Sequence, residues 1–155
     1  MTARAIGVTA LVLWVVTVAA LGWFFIKGWT VSSSDGRTEI LLAPAEREQI
    51  LAEMRQLLKA GHSVVTGLSR SGADVKAAEQ AARAAGKIMA ADTSPAIMAK
   101  LPLAFKQMGM SIHQDMDALA DAIVLKETPE QILQRLSSMT ACCTTCHDLY
   151  RLGVR

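Results

Sequence analysis

The chain has 155 residues, of which 52% are hydrophobic and only 5% are aromatic. This length fits one domain, and a composition rich in aliphatic side chains favours helices. The formal net charge is +2 without a basic cluster, so a nucleic-acid partner is not indicated.

The N-terminal segment is a candidate membrane anchor. Residues 5–26 form an uncharged run of 22 residues, which as a helix is about 33 Å long and can cross a bilayer. The alternative is a cleaved signal peptide, for which residues 18–20 offer a small-residue site. The apolar run continues well past that site, so an uncleaved anchor over residues 1–27 is predicted. Trp23 and Trp29 suit the membrane interface at its far end.

Residues 28–42 are predicted to link this anchor to a domain that covers residues 43–155. Their centre, residues 32–36, consists of serines, an aspartate and a glycine, a composition typical of a short polar hinge. An ordered loop that lies on a partner is the alternative.

The first two predicted helices of the domain are amphipathic. One begins near Pro44 and ends at Gly72, and the next runs from about Ala73 to residue 91. Apolar positions in the first recur at steps of three and four, which is the spacing of a buried helix face. They are Ile50, Met54, Leu57, Gly61, Val64 and Leu68. Alanines dominate this face in the second helix, so a neighbouring helix can approach closely.

Two further helices follow a turn at residues 92–95. Pro102 begins the third or kinks a longer helix at that point. The fourth begins at Thr128, which with Gln131 forms a capping box. Gly153 is a plausible end of the fourth. No strand and no internal repeat is predicted. Because short connections join long amphipathic helices, we expect an all-α chain, an antiparallel four-helix bundle with an N-terminal transmembrane helix.

The fourth helix carries Cys143, Cys146 and His147 in the order Cys-x-x-Cys-His, which is the signature of c-type haem attachment. The two thiols add to the vinyl groups of one haem, and the adjacent histidine is its proximal ligand. A redox dithiol would need a βαβ context, and a zinc site would need a second ligand pair; neither is visible. We therefore expect one covalently bound haem c. Both thiols fall on the apolar stripe of this helix, which consists of Ile132, Leu136, Met139, Cys143, Cys146 and Tyr150.

A helical bundle whose last helix carries this motif resembles the cytochrome c′ family, here over roughly residues 44–153. Tyr150 and Arg151 after the motif are similar to that family, as are residues 105–107 and 114–115 of the third helix. The chain departs from the family by retaining an anchor and by a shorter connection between the second and third helices.

The resemblance implies one of two chemistries. Members with an apolar side chain above the iron keep an open coordination site and bind nitric oxide or carbon monoxide. Relatives with a methionine there transfer electrons, since a thioether ligand raises the reduction potential. Met54 is the candidate sixth ligand, opposite His147. If the helix is displaced by about a turn, Leu57 or Leu58 takes this position and Met54 is a core residue.

The other polar candidates are two arginines, two histidines and the third cysteine. Arg151 and Arg55 are candidates for pairing with haem propionates, or they are solvated. His62 is predicted at the surface or the haem edge. His113 is predicted as a flank residue, with iron ligation as the less favoured alternative. Two thioether bonds use two of the three cysteines, which leaves Cys142 free. Cys142 is predicted to be a small packing residue, or alternatively to link two copies as a homodimer.

These features predict a membrane-anchored monohaem cytochrome that exchanges electrons with a membrane redox enzyme or complex, of which it could be a subunit. The anchor favours this function, because confinement to the membrane raises the effective concentration near membrane enzymes. The alternative is a five-coordinate protein that binds or senses nitric oxide or carbon monoxide. No nucleophile or acid–base pair indicates an enzyme. Because c-type haem is attached outside the cytoplasm, the domain is expected in the bacterial periplasm, with one span of the inner membrane.

Overall fold

The computed structural model describes residues 3–69 and 75–155. In these ranges the protein is mostly helical, as predicted. The helices are α1 (Ala3–Lys27), α2 (Pro44–Ser69), α3 (Val75–Ala84), α4 (Lys87–Ala91), α5 (Pro95–Lys100), α6 (Leu103–Val124) and α7 (Pro129–Leu149). The strands are β1 (Thr30–Ser32), β2 (Thr38–Leu42) and β3 (Tyr150–Val154).

Helix α1 is long and apolar enough to span a membrane. Its mean hydropathy over an 18-residue window is 2.3, and none of that window is buried in the protein. Signal sequences share these properties. The helix ends in an ordered turn, in which Gly28 has φ +63° and the backbone N–H of Trp29 donates to the Lys100 carbonyl oxygen at 2.8 Å. Thus α1 is joined to α5 directly.

The prediction that the chain contains no strand is wrong in the described residues. Strand β1 pairs antiparallel with β2, and β2 pairs parallel with β3. The first two strands lie in the segment predicted to be a polar hinge, residues 28–42. In β2, Ile40 and Leu42 are fully buried, two residues apart on one face of the strand. Their burial, worth about 1.5–3 kcal/mol for each side chain, stabilises an ordered sheet in place of a linker.

The C-terminal strand also corrects the predicted end of the last helix. Helix α7 ends at Leu149, and Gly153 lies in β3, where its partner in β2 is Leu41. The start of α7 is as predicted: the backbone N–H of Gln131 donates to the Thr128 hydroxyl at 3.3 Å, and the Gln131 side chain accepts from the Thr128 N–H at 2.9 Å. Local capping thus determines one end of α7 and pairing with β2 the other.

The predicted second helix is divided into α3 and α4. The break includes Gly86, which is buried against the Asp117 side chain; that carboxylate accepts from the backbone N–H of Lys87 at 3.1 Å. The turn predicted at residues 92–95 begins α5, because the Ser94 hydroxyl accepts from the N–H of Ile97. The predicted helix boundaries at Gly72 and Ala73 lie outside the described residues.

Two apolar clusters form the core. The larger lies between α2, α3, α6 and α7 and contains Val64, Ala82, Met116 and Leu119. The smaller lies between the sheet, α5 and the beginnings of α2 and α6, and it contains Ile40, Leu42, Ile50, Ile97, Leu101, Phe105 and Cys146. Helix α2 packs mainly on α3, and α7 mainly on α6. The smaller cluster therefore lies where the end of α7 meets the sheet.

Candidate functional site

A pocket of about 300 Å³ lies between the first half of α2, the end of α7 and strand β3. Its lining includes Met54, Cys146, His147 and Arg151. The volume is at the lower end of the range for ligand sites, and part of the lining is apolar. Four of the five residues predicted to bind haem thus line one pocket, although they come from three elements of the fold.

The motif cysteines lie one helical turn apart on α7. Cys146 is buried, with 9% of its surface exposed, and lines the pocket. Cys143 is half-buried and packs against the larger core cluster, outside the pocket lining. Beside Cys146, the rings of Phe105 and Tyr150 meet edge to face, with centroids 5.4 Å apart. One thiol therefore faces the pocket, and the other lies on the adjoining part of the same helix.

Burial affects the protonation of both motif thiols. Burial raises the pKa of Cys146 to about 11 and also raises the pKa of Cys143. A redox dithiol needs a lowered pKa, which supplies its reactive thiolate. Among residues 3–69 and 75–155, no three histidine, cysteine or carboxylate side chains are grouped to hold a metal ion such as zinc. The raised pKa values keep the thiols of Cys143 and Cys146 protonated near neutral pH.

Helix α2 supplies the side of the pocket opposite the motif. Met54 lines it, as does Leu51 one turn earlier. Leu58 is 76% exposed, and Leu57 packs against the larger core cluster. Of the three side chains considered from sequence for the position above the iron, only Met54 therefore faces the pocket. Leu51 was missed.

Three arginines line the pocket, and only Arg151 was identified from sequence. Arg37 donates through Nη1 to the carbonyl oxygen of His147 at 3.3 Å, and Arg47 donates to that of Leu152 at 3.3 Å. Arg37 belongs to the segment predicted as a linker. Arg47 had a detectable signal, because it precedes Leu51 by four residues and Met54 by seven, the spacing of one helix face.

A carboxylate holds two of these arginines. Asp35 Oδ2 lies 2.7 Å from Arg37 Nη2 and 3.6 Å from Arg151 Nη1. Hydrogen bonds from Arg37 hold the pKa of Asp35 well below its usual range. Arg55, the other arginine proposed for a propionate, is 59% exposed, lies 4.0 Å from Glu48 and is not among the pocket residues.

The remaining histidines lie outside the pocket. His62 is exposed on α2, in agreement with the surface assignment. His113 is 5% exposed, so its assignment as a flank residue needs correction. Its Nδ1 is 2.8 Å from the Ala85 carbonyl oxygen, and its Nε2 is 3.3 Å from Glu53 Oε1. His113 thus connects α6 to α2 and to the break between α3 and α4.

These contacts predict a pH-dependent stability. Burial opposes the charged imidazolium, but hydrogen bonds to the Glu53 carboxylate and the Ala85 carbonyl oxygen raise the pKa of His113 overall. A raised pKa stabilises the fold below the unfolded value of about 6.5, and this stabilisation is lost as the pH rises through the folded pKa. Urea unfolding at successive pH values should show the loss in the wild type and not in His113→Gln.

The matched control for this measurement is His62→Gln, which removes an exposed histidine from α2. This variant should keep the wild-type dependence of unfolding free energy on pH. An equal slope in His113→Gln and wild type would contradict the role assigned to His113.

Cys142 lies at the contact between α7 and α6. Its Sγ is 3.7 Å from the Ser111 hydroxyl oxygen and 4.0 Å from the Met108 carbonyl oxygen. The side chain is half-buried. These contacts agree with the packing role predicted for it.

Comparisons of the chain with family models, curated proteins and solved structures find no match. The functional assignment therefore rests on the residues of the pocket.

Proposed function

We propose that the protein is a membrane-anchored c-type cytochrome that carries one haem and transfers electrons. The observation that supports this proposal is the pocket itself, which is lined by Cys146, His147 and Met54. These residues supply a thiol for attachment, an imidazole ligand and a thioether ligand, the donor set of an electron-transfer cytochrome. When bound, the haem supplies a one-electron iron couple.

Each residue has a separate role in this proposal. Cys143 and Cys146 would hold the haem through thioether bonds, and the His147 imidazole and the Met54 thioether would bind its iron. The buried thiol of Cys146 and the aromatic pair beside it provide an apolar surface. In the antiparallel bundle that the resemblance to cytochrome c′ implies, the haem would lie against α2, α6 and α7, the helices that line the pocket.

The arginines fit the anionic side of a haem. Arg37, Arg47 and Arg151 line the same pocket, and guanidinium groups bind carboxylates with paired hydrogen bonds. Asp35 already pairs with Arg37 and Arg151. We propose that these arginines bind the haem propionates, which orients the macrocycle in the pocket.

Helix α1 fits the proposed location of this cytochrome. We propose that it crosses the bacterial inner membrane once and holds the haem domain in the periplasm. The redox partner would be a membrane enzyme or complex, since the anchor confines both to one surface.

Leu51 favours the alternative function, nitric oxide or carbon monoxide binding. It lines the pocket one turn before Met54. If Leu51 covers the iron, the haem has only the His147 ligand and a small diatomic molecule can occupy the open site. The visible spectrum of the reduced protein with and without carbon monoxide distinguishes the two functions.

Covalent attachment is the first requirement of either function. After denaturation in acid and extraction with organic solvent, haem should remain with the polypeptide. An alkylating reagent should then label one of the three cysteines, Cys142, because the other two are thioethers. The intact mass of the membrane-extracted protein should equal the full chain plus one haem.

Cys142→Ser is the matched control for the alkylation, and it should retain haem while labelling falls to none. Haem in the organic layer, together with three labelled cysteines, would reject the proposed cofactor. A chain that has lost its first residues would instead identify α1 as a signal peptide.

A further inference from the structure

Three basic side chains lie beside aromatic rings in the last turns of α1 and just after it. Lys106 of α6 donates from Nζ to the Phe25 carbonyl oxygen at 3.2 Å, and its Nζ lies 3.8 Å from the centre of the Phe25 ring. Lys27 Nζ is 5.3 Å from the Trp23 ring. The Arg155 guanidinium is 5.1 Å from the Trp29 ring. We call Lys27, Lys106 and Arg155 the basic collar.

The collar carries three basic side chains. Within residues 3–69 and 75–155, none of its three side chains forms an ion pair with a carboxylate, whereas Lys100, which also faces Trp29, is 2.6 Å from Glu46. Burial lowers the pKa of Lys106, and an anion beside its ammonium would raise that pKa again. The charge thus remains available to an anionic partner.

The position of the collar indicates which anion it meets. Lys106 belongs to the folded domain, yet it contacts the last turns of the apolar helix α1. If α1 lies in a bilayer, Phe25 is near the end of the hydrocarbon layer and Lys106 is level with the lipid headgroups. The rings beside Lys27 and Arg155 are those of Trp23 and Trp29, and tryptophan is enriched at this interface.

We infer that the basic collar binds the phosphate headgroups of anionic phospholipids. This inference rests on the membrane anchoring of the proposed function and is independent of haem. Each basic residue at a membrane surface changes the preference for anionic lipid by about fivefold, equivalent to about 1 kcal/mol. The bound headgroups would hold the beginning of α6 and the end of β3 against the membrane.

The test uses the full chain in vesicles of equimolar phosphatidylglycerol and phosphatidylcholine. After extraction in mild detergent, mass spectrometry measures the ratio of the two lipids that remain bound. We expect the wild type to be enriched in phosphatidylglycerol. The double variant Lys106→Gln with Arg155→Gln should lower the ratio by about fivefold for each charge. Lys106→Arg, which keeps the charge, should retain it.

The matched control removes two exposed lysines from other helices, Lys59→Gln of α2 with Lys76→Gln of α3, and should keep the wild-type ratio. If substitution of Lys106 prevents folding, Arg155→Gln alone at the exposed C-terminal residue provides the same test. A ratio that does not change in the collar variants would overturn the inference, as would an inserted wild type without lipid preference.

Failure of the proposed function gives different results. A wild-type chain that alkaline carbonate releases from the vesicles is not anchored, which overturns both the anchor and the lipid site. A chain that is anchored and prefers phosphatidylglycerol but lacks covalent haem would overturn the cytochrome alone.

Discussion

In the proposed cytochrome, replacing Met54 with leucine is expected to convert a six-coordinate, low-spin haem into a five-coordinate, high-spin haem that binds carbon monoxide directly. Met54 supplies the thioether among the described residues that line the pocket, which also include His147 of α7. Without it, the ferrous state loses a stabilising ligand and the reduction potential falls, within the roughly 0.8 V range that axial ligands span. The substitution should cost less than about 1.5 kcal/mol of stability, since leucine and methionine have similar volumes.

The visible spectrum with and without carbon monoxide and a redox titration measure these changes. Met98→Leu is the matched control, because Met98 packs in the same core cluster as Met54 without lining the pocket. It should leave both the spectrum and the potential unchanged. If Met54→Leu also leaves the spectrum unchanged and the wild-type iron is five-coordinate, the gas-binding function is favoured and Leu51 becomes the residue above the iron.

Features that depend on neighbouring residues could be predicted from the sequence. The capping box of α7 needs only Thr128 and Gln131, and the apolar run of α1 is visible in the composition. The spacing of Cys143 and Cys146 likewise identified the motif before any contact was known. Met54 was found because a regular helix places it on the buried side of α2.

Features that depend on distant residues could not be predicted in this way. Strand β2 pairs with β3, whose register joins Thr38 to Tyr150, more than a hundred positions later. The segment before β2 resembles a linker until this partner is known. Arg37 reaches the carbonyl oxygen of His147 only because the strands bring its turn to the end of α7. Arg37 could therefore be identified as a pocket residue only from the fold.

The sheet also connects α1 to the candidate site. Strand β1 begins three residues after α1 ends, and the turn between β1 and β2 carries Asp35 and Arg37. Asp35 contacts Arg151 and Arg37 contacts His147, and Arg151 and His147 line the pocket. The pocket is thus attached to α1 through hydrogen-bonded structure. If α1 is the proposed anchor, a bound haem would keep a defined height above the membrane.

Gly28→Ala should weaken this connection strongly. Gly28 is buried with φ +63°, and an added Cβ would be 2.6 Å from the Pro102 nitrogen and 2.7 Å from the Leu101 carbonyl carbon. A left-handed backbone costs alanine about 1–2 kcal/mol, and overpacking against fixed backbone costs about 1–3 kcal/mol. We therefore expect a loss of about 2–5 kcal/mol, a large fraction of the roughly 5–15 kcal/mol that stabilises a typical domain.

Gly36→Ala separates the two contributions to this loss. Gly36 has φ +84°, but its Cβ would meet no atom within 4 Å. It should cost only the conformational part, about 1–2 kcal/mol. Urea unfolding of the full chain in detergent, followed by tryptophan fluorescence, compares the two variants. If both lose the same free energy, the close approach of Gly28 to the start of α6 is absent and α1 is a flexible tether. A larger loss in Gly28→Ala means that the anchor and the domain are packed as one unit.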